Sequence, residues 1–190
     1  MEGEMAQVLK EDINKRILKA ALEEFYEKGY KSAAMRNIAQ KAKIPAGLIY
    51  SYYKNKEALF NAVLSPVRYD WERVLNTKDD THNEGEIYGL SRAETDCLIQ
   101  LFEHRKEFII LMDKSEGTKY APEKERFVLD IESHLNRHRR DEIADAVFIH
   151  IVASNFADGL MQIMYHYEGK EWAIMILQKL SKMYLSGIGL

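Results

Sequence analysis

The sequence predicts an all-α protein, and three observations support this fold class. Apolar residues recur at spacings of three and four along nearly every segment, which places them on one face of a helix. No segment shows the apolar–polar alternation of a half-buried strand. The 190 residues are 46% hydrophobic and 30% charged, without an internal repeat or low-complexity tract, as expected for one or two compact units.

The composition favours a soluble protein of a reducing compartment. The single cysteine, Cys97, excludes an internal disulfide and a multi-thiolate zinc site. The first residues are acidic and lack an apolar core, so they do not predict a secretory signal. The longest apolar stretches, Ala146 to Ala153 and Trp172 to Leu177, are shorter than the roughly 18 residues of a membrane span. We therefore expect a cytoplasmic protein without a membrane partner.

The N-terminal segment predicts three helices in close succession. The first covers about residues 9–28, and Gly29 follows it at a position that favours a left-handed C-cap. The second covers about residues 35–42 and carries apolar residues at i, i+3, i+4 and i+7. The third covers about residues 45–52, with Pro45 in the first turn, where its missing N–H is not needed.

A fourth helix is predicted to begin after Asn55, which is a suitable N-cap, and to continue past Val74. Pro66 lies inside this helix and removes one backbone hydrogen bond, so we expect the helix to bend there or to end early. Residues 77–89 are polar, contain two glycines and predict a loop.

Helices are predicted to resume over about residues 91–113, and further helices are predicted at about residues 123–139, 141–167 and 170–184, with a loop over residues 114–122. The last two are apolar on nearly every face, which indicates burial on more than one side. In a chain of this size, a second subunit is a plausible cover for one of those sides.

The charge is distributed unevenly along the chain. Residues 1–56 contain 11 basic and 7 acidic residues, a net charge of +4, whereas residues 57–190 have a net charge of −7. An acid-free segment within the first part contains seven basic residues: Lys28, Lys31, Arg36, Lys41, Lys43, Lys54 and Lys56. Such a segment indicates a polyanion site, although a solvated basic face is the commoner explanation of charge alone. We interpret Lys31 and Lys41 as plain surface charges.

Two short helices that meet at a tight turn within this segment form a helix-turn-helix pattern, whose second helix enters the DNA major groove. The stretch Ile17 to Leu59 resembles the TetR family of bacterial transcriptional regulators. It reads ILKAALEEFYEKGYKSAAMRNIAQKAKIPAGLIYSYYKNKEAL. The resemblance rests on Gly29-Tyr30, Ile38-Ala39, Gly47-Leu48-Ile49-Tyr50, Tyr52-Tyr53 and Asn55-Lys56-Glu57.

The resemblance implies a helix-turn-helix DNA-binding domain over residues 1–56 and a helical ligand-binding and dimerisation domain over residues 57–190. It implies a repressor that binds a palindromic operator as a homodimer and is released by a small, largely apolar effector. An activator or global regulator of the same architecture remains an alternative. A helical small-molecule-binding or assembly protein with a degenerate helix-turn-helix is another.

The resemblance and the residue types select eight candidate DNA-binding residues: Arg36, Lys43, Pro45, Ala46, Gly47, Tyr50, Tyr52 and Lys56. The hydroxyls of Tyr50 and Tyr52 and the ammonium of Lys56 suit phosphate contacts, which position a protein on DNA without reading its sequence. Tyr53 aligns with a family phenylalanine, so we expect it to pack in the core.

Base readout falls to Lys43, Pro45 and Ala46, with Arg36 as a further candidate. Lysine and arginine contact guanine O6 and N7, whereas alanine or proline contacts the thymine methyl group. Gly47 has no side chain, so the backbone of the third helix is able to approach DNA closely.

Three positions depart from the family pattern. Lys43 stands where the family usually has glycine, and Pro45 stands where it usually has a Ser or Thr cap. Ala33 and Ala34 stand where threonine is usual, so the second helix loses a cap or phosphate contact unless Ser32 replaces it. These departures affect the operator sequence more than the DNA-binding role.

In the C-terminal part, aromatic, methionine and polar residues within apolar helices are candidates for an effector pocket. The candidates are Phe102, Phe108, Met112, Asn155, Phe156, Asp158, Met161 and Tyr165. Asn155 and Asp158 are the preferred candidates, because a buried polar group needs a partner. Gly159 allows close approach of backbones in a dimeric four-helix bundle of the last two helices and their copies.

No enzyme signature, metal site or cofactor site is predicted. The chain has no Gly-rich phosphate loop, no G-x-S-x-G elbow and no H-E-x-x-H motif, so we do not expect an enzyme. His134 and His138 are spaced to share a metal ion, but arginines follow them and we favour a solvated helix face. Cys97 is interpreted as a small buried hydrophobic residue.

Overall fold

A computed structural model describes residues 2–68, 92–138 and 145–187, and within these ranges it contains helices and no strand. The all-α fold class is confirmed. The α-helices are α1 (Glu2–Ser32), α2 (Met35–Lys41), α3 (Ile49–Tyr52), α4 (Lys56–Val63), α5 (Arg92–Glu103), α6 (Arg105–Asp113), α7 (Glu123–His138), α8 (Ala146–Tyr165) and α9 (Lys170–Gly187). A 3₁₀ turn, Ser65–Val67, follows α4.

The fourth helix ends before Pro66, so of the two expectations the early end is met and the favoured bend is not. Helix α4 stops at Val63, and Pro66 lies in the first turn of the 3₁₀ helix, where a proline loses no hydrogen bond. Asn55 caps α4 as predicted, because its side chain accepts a hydrogen bond of 2.8 Å from the amide of Ala58. The predicted continuation to Val74 and the predicted loop 77–89 lie outside the described residues.

The helices predicted over residues 91–113 are α5 and α6. A turn at His104 separates α5 from α6, and the His104 amide donates to the carbonyl of Leu101 at 3.1 Å. The predicted loop 114–122 and the helix after it are confirmed, since α6 ends at Asp113 and α7 begins at Glu123.

The chain divides into two compact units that differ from the predicted segments. The first unit consists of residues 1–68 together with 106–121, and the second consists of residues 69–105 together with 122–190. Most of α6 and the loop after it thus belong to the same unit as the helix-turn-helix. The assignment of DNA binding to residues 1–56 and of ligand binding and dimerisation to residues 57–190 stays a prediction.

The core of the first unit forms along the apolar stripe of α1. Ile17, Ala21 and Phe25 are each fully buried, and the ring of Phe25 meets the ring of Phe60 edge to face at 4.9 Å between centroids. The predicted end of the first helix is confirmed, because Gly29 adopts φ +70°, a conformation that favours glycine. The chain after Gly29 completes one further turn, to Ser32.

In the second unit, α8 packs against both α7 and α9. Gly159 allows a close approach within one chain, since a Cβ atom there would lie 2.8 Å from a methyl carbon of Leu180. By length and composition alone, α8 is apolar enough to cross a membrane, which the counts of uninterrupted apolar residues did not predict. Its buried face against two neighbouring helices, with Ala153, Ala157 and Leu160 inaccessible, is that of a core helix.

A buried carboxylate joins α1 to α2. Glu24 is 1% exposed, and its oxygens accept hydrogen bonds from Lys41 at 2.9 Å and from Asn37 at 3.1 Å. Burial on its own raises the pKa of a carboxyl group, but the bonds from Lys41, Asn37 and the amide of Ala34 together lower the pKa of Glu24. Lys41 also pairs with the exposed Glu27 at 2.8 Å. The interpretation of Lys41 as a plain surface charge is therefore wrong.

Replacement of Glu24 by glutamine should lower the free energy of unfolding by about 2 kcal/mol at pH 7, because it removes a buried charge-assisted contact. A lowered pKa in the folded state stabilises the protein above the ordinary carboxyl pKa of 4.5, and this stabilisation is lost as the pH falls. Chemical denaturation of E24Q between pH 3 and 7 should therefore show a weaker pH dependence than the unmodified chain. E27Q is the control, with an expected loss below about 0.5 kcal/mol. Equal losses for both variants would contradict this account.

Candidate nucleic-acid interface

Helices α2 and α3 form the helix-turn-helix, and both are fixed by buried apolar side chains. Ile38 and Ala39 of α2 and Ile49 of α3 are fully or almost fully buried in the first unit. The predicted third helix is shorter than expected, because regular α-helix begins at Ile49 rather than at Pro45. The residues between them are wound more tightly, with the amide of Leu48 donating to the carbonyl of Pro45 at 2.9 Å.

The turn after α2 is a Schellman motif with lysine at the left-handed position. The amide of Ile44 donates to the carbonyl of Ala39, and the amide of Lys43 donates to that of Gln40, both at 3.0 Å. Lys43 adopts φ +55° and is the one non-glycine residue with positive φ in the described ranges. Glycine is the usual residue in this conformation, because side chains there meet the backbone. The departure of Lys43 from the family pattern therefore has a conformational cost.

Arg16 of α1 holds this turn. Its Nη2 atom donates to the carbonyl of Ala42 at 2.6 Å and to the carbonyl of Lys43 at 2.9 Å. The arginine is half-buried and lies 3.8 Å from Asp12 one turn earlier in α1. No pattern within α1 identified Arg16, because its partners lie 26 and 27 residues away.

The candidate DNA-binding residues lie together in the first unit, and most of them are exposed. The exposed ones are Arg36, Lys43, Pro45, Ala46, Gly47 and Tyr50, while Tyr52 is partly exposed. A Cβ atom built on Gly47 would meet nothing within 4 Å, so packing within the chain does not require glycine there. This openness suits an approach of the backbone by an external surface.

Tyr53 is of intermediate exposure, as Tyr52 is, so its expected place in the core is met only in part. Its hydroxyl donates to Oδ1 of Asn14 in α1 at 2.7 Å. Burial raises the pKa of the Tyr53 hydroxyl. This tyrosine therefore joins α1 to the end of α3.

Lys56 has its ammonium group engaged within the chain. It donates to the carbonyls of Tyr30 at 2.8 Å and Ala33 at 2.9 Å, and it lies 4.5 Å from the centre of the Tyr30 ring. These carbonyls belong to the junction between α1 and α2. The predicted phosphate contact of Lys56 stays a prediction, and the geometry adds a structural role that sequence analysis missed.

The start of α2 lacks a side-chain cap, as the departures from the family pattern predicted. Ala34 occupies the N-cap position in an extended conformation, and neither Ser32 nor any other side chain at the start of the helix provides a cap. The amide of Ala34 lies near the buried carboxylate of Glu24 in α1 and contributes to the lowering of its pKa.

Tertiary contacts reduce the free charge of the acid-free segment. Lys31 pairs with Glu116 at 2.8 Å on the surface, and Lys41 and Lys56 are engaged as described above. The remaining basic side chains are exposed and make no ion pair among the residues that the structure describes: Lys28, Arg36, Lys43 and Lys54. These four are the cations available to a polyanion.

The predicted effector residues are divided between the two units. Phe108 and Met112 are buried in the first unit. The second unit contains Phe102, Asn155, Phe156, Asp158, Met161 and Tyr165. The expected burial of Asn155 and Asp158 is wrong, because both are exposed and Asp158 pairs with Lys124 at 3.0 Å. Tyr165 is also exposed, whereas Phe102 and Met161 are buried.

His134 and Cys97, the remaining candidates for metal binding or reactivity, are both buried. His134 is buried and lies 3.2 Å from the buried carboxylate of Glu94, so the expected solvated face is wrong for this residue. Cys97 is buried as predicted, and burial together with the nearby Glu94 raises its pKa to about 11. Within the described ranges, no three His, Cys, Asp or Glu side chains come close enough to hold a metal ion.

The all-helical fold and the exposed surface of α2, the turn and α3 define a helix-turn-helix protein. Residues 17–63 match the family of bacterial regulatory proteins called the tetR family. This match lies in the unit that contains the helix-turn-helix, and it likens that unit to the TetR family.

Several transcriptional regulators match part of the chain. YvkB of Bacillus subtilis strain 168, an uncharacterized HTH-type transcriptional regulator, is 34% identical over 96 residues, which are 50% of this chain and 48% of that protein. UidR of Escherichia coli K12, an HTH-type transcriptional regulator, is 42% identical over 60 residues, 32% of this chain and 29% of that protein. The chain thus spans less than half of the length of these relatives.

Solved structures match nearly the whole fold. A TetR-like transcriptional regulator from Rhodococcus sp. RHA1 has a TM-score of 0.59 at 19% identity, over 92% of this chain and 96% of that one. NalD, the secondary repressor of the MexAB-OprM multidrug efflux pump in Pseudomonas aeruginosa, has a TM-score of 0.58 at 21% identity, over 95% and 97%. At these identities the likeness shows a shared fold.

Replacement of Lys43 by glycine should raise the free energy of unfolding by about 0.5–1 kcal/mol, because glycine adopts positive φ without the penalty of a side chain. Thermal and chemical denaturation followed by circular dichroism measures the change. The control is K54G, at an exposed lysine outside the positive-φ residues, where glycine should lower stability by a similar amount. A loss of stability in K43G would mean that the lysine side chain stabilises the turn.

Proposed function

We propose that the chain is a DNA-binding transcriptional regulator, and specifically a repressor that binds a palindromic operator as a homodimer. The observation that carries this proposal is the helix-turn-helix itself, whose exposed residues Arg36, Lys43 and Tyr50 lie within the stretch that matches the TetR family. The matched relatives bear the names of transcriptional regulators rather than of enzymes. A protein with this function works in the cytoplasm, where bacterial DNA is.

In this proposal, the exposed residues divide into two groups. Arg36, Tyr50 and Tyr52 contact phosphates and position the protein, whereas Lys43, Pro45 and Ala46 face base edges in the major groove. Gly47 allows the backbone to lie close to the DNA. Lys56 acts mainly by fixing the start of α4.

Exposed apolar side chains in the second unit support the homodimer. Val147, Phe148 and Ile151 are exposed near the start of α8, and Met175 and Met183 are exposed on α9. An apolar surface of this kind is unfavourable in water and suits a second copy of the same helices. A two-fold dimer also places two recognition helices at successive major grooves of a palindrome.

A small, largely apolar effector completes the proposal. The buried aromatic and sulfur-containing side chains of the second unit, such as Phe102 and Met161, have the chemistry of an apolar pocket. An effector that favours a different spacing of the two recognition helices lowers DNA affinity by its differential affinity for the two states.

Selection from a pool of random duplexes tests the proposal. The chain should retain a palindromic sequence, and its affinity for that duplex should fall steeply with salt. The R36Q variant should reduce the slope of log affinity against log salt by about 1, because one phosphate contact is lost. The control is K119Q, an exposed lysine in the loop after α6, which should leave the slope unchanged.

Two results would contradict DNA recognition. One is a failure to enrich any sequence together with salt-sensitive binding that R36Q does not alter. The other is enrichment of single-stranded contaminants in place of duplexes. Either would favour a protein whose helix-turn-helix no longer reads DNA.

The I151K variant should convert the dimer to a monomer, because it places a charge in the apolar contact between copies. Sedimentation equilibrium measures the mass, and affinity for the selected palindrome should fall about 100-fold once the two half-sites are no longer linked. L129K is the matched control, since Leu129 of α7 is an equally exposed apolar residue outside α8 and α9. Dissociation by L129K but not by I151K would place the dimer interface elsewhere.

A further inference from the structure

We infer that Arg16 is a positioning residue for sequence recognition, which locks the turn between α2 and α3 so that Lys43 and the start of α3 keep one orientation. This inference rests on the proposed DNA-binding function. It assigns a role in selectivity to a side chain of α1, outside the helix-turn-helix itself.

The first support is the bonding of the guanidinium group. Its Nη2 atom donates to the carbonyls of Ala42, the C-cap of α2, and of Lys43, the residue after the cap. Helix geometry leaves carbonyls at this end without partners within the helix. Hydrogen bonds from a charged donor are stronger than those from a neutral one. Arg16 therefore constrains the backbone where it changes direction.

The second support is the conformation of Lys43. A lysine at φ +55° lies in a sparsely populated region, so the surrounding structure has to stabilise it. A bond to the carbonyl of Lys43 itself restricts rotation at this residue. Loss of this hydrogen bond would make it easier for Lys43 to relax to a negative φ.

The third support is the space around the turn. A groove of about 360 Å³ lies between α1 and the end of α2, and Arg16, Lys19, Ala42 and Lys43 are among its lining residues. Packing between α1 and the end of α2 is therefore incomplete. The two guanidinium bonds cross from α1 to the turn beside this groove.

The selected palindrome and a scrambled duplex of equal length and composition test the inference. R16Q should lose about tenfold in affinity for the palindrome and little for the scrambled duplex, with an unchanged salt slope. R16K should lose nearly as much, because the ammonium of the flexible lysine stem does not have the fixed planar geometry that directs the two N–H groups of Nη2 at these carbonyls. K15Q, which removes an exposed charge from the adjacent position, should change neither affinity.

A direct phosphate contact by Arg16 would give a different pattern. R16Q would then weaken binding to both duplexes equally and reduce the salt slope by about 1, and R16K would retain most of the affinity. This pattern would overturn the positioning role, as would an unchanged ratio of the two affinities.

A stability cycle decides the same point without DNA. R16Q should lower the melting temperature of the unmodified chain more than it lowers that of K43G. The reason is that glycine at position 43 adopts positive φ without the hydrogen bonds from Arg16. Equal shifts in both backgrounds would overturn the inference. If the duplex selection fails but the cycle shows coupling, the proposed function fails while the role of Arg16 in the turn stands.

Discussion

The helix-turn-helix depends on α1, because its own helices are too short to hold their shape. Helix α2 has 7 residues and α3 has 4, whereas isolated helices below about 12–15 residues are marginal in water. Polar side chains of α1 bind residues of α2 and of the turn after it. Glu24 accepts hydrogen bonds from Asn37 and Lys41 of α2, and Arg16 donates to the carbonyls of Ala42 and Lys43 after its end. The orientation of α2 is thus set by α1 as well as by its own sequence.

The end of α1 is itself held by chain segments that come later. The amide of Tyr30 donates to the carbonyl of Lys114 at 2.9 Å, in the loop after α6. Lys56, the first residue of α4, binds the carbonyls of Tyr30 and Ala33. The rings of Tyr30 and Phe60 meet at 4.8 Å between centroids. A displacement of α4 would therefore act on the junction where α1 gives way to α2.

Features that depend on neighbouring residues were predictable from the sequence. Helical periodicity, the end of the first helix at Gly29, the Asn55 cap and the interruption at Pro66 each follow from backbone chemistry within a few residues. Six of the eight candidate DNA-binding residues are exposed, as an interface requires.

Features that depend on distant partners were not predictable in this way. The pairing of Lys41 with Glu24 joins residues that are 17 positions apart, and residues 106–121 join the first unit although they follow it by nearly 40 residues. Exposure of Asp158 depends on which face of an apolar helix meets its neighbours. Hydropathy around such a helix does not decide between its faces, because apolar residues lie on all of them.

The same distant contacts change the meaning of the charge pattern. The acid-free segment contains seven basic residues, but Lys41 pairs with a glutamate of α1 and Lys31 pairs with a glutamate of the loop after α6. The ammonium of Lys56 donates hydrogen bonds to backbone carbonyls. The electrostatic attraction of the surface to a polyanion is therefore weaker than the sequence count implies. Phosphate contacts give affinity without selectivity, so a surface with fewer free cations depends more on the geometry of its base-reading residues. Under the proposed function, the shape of the turn at Lys43 and the α1 side chain that holds it therefore matter more than the total positive charge.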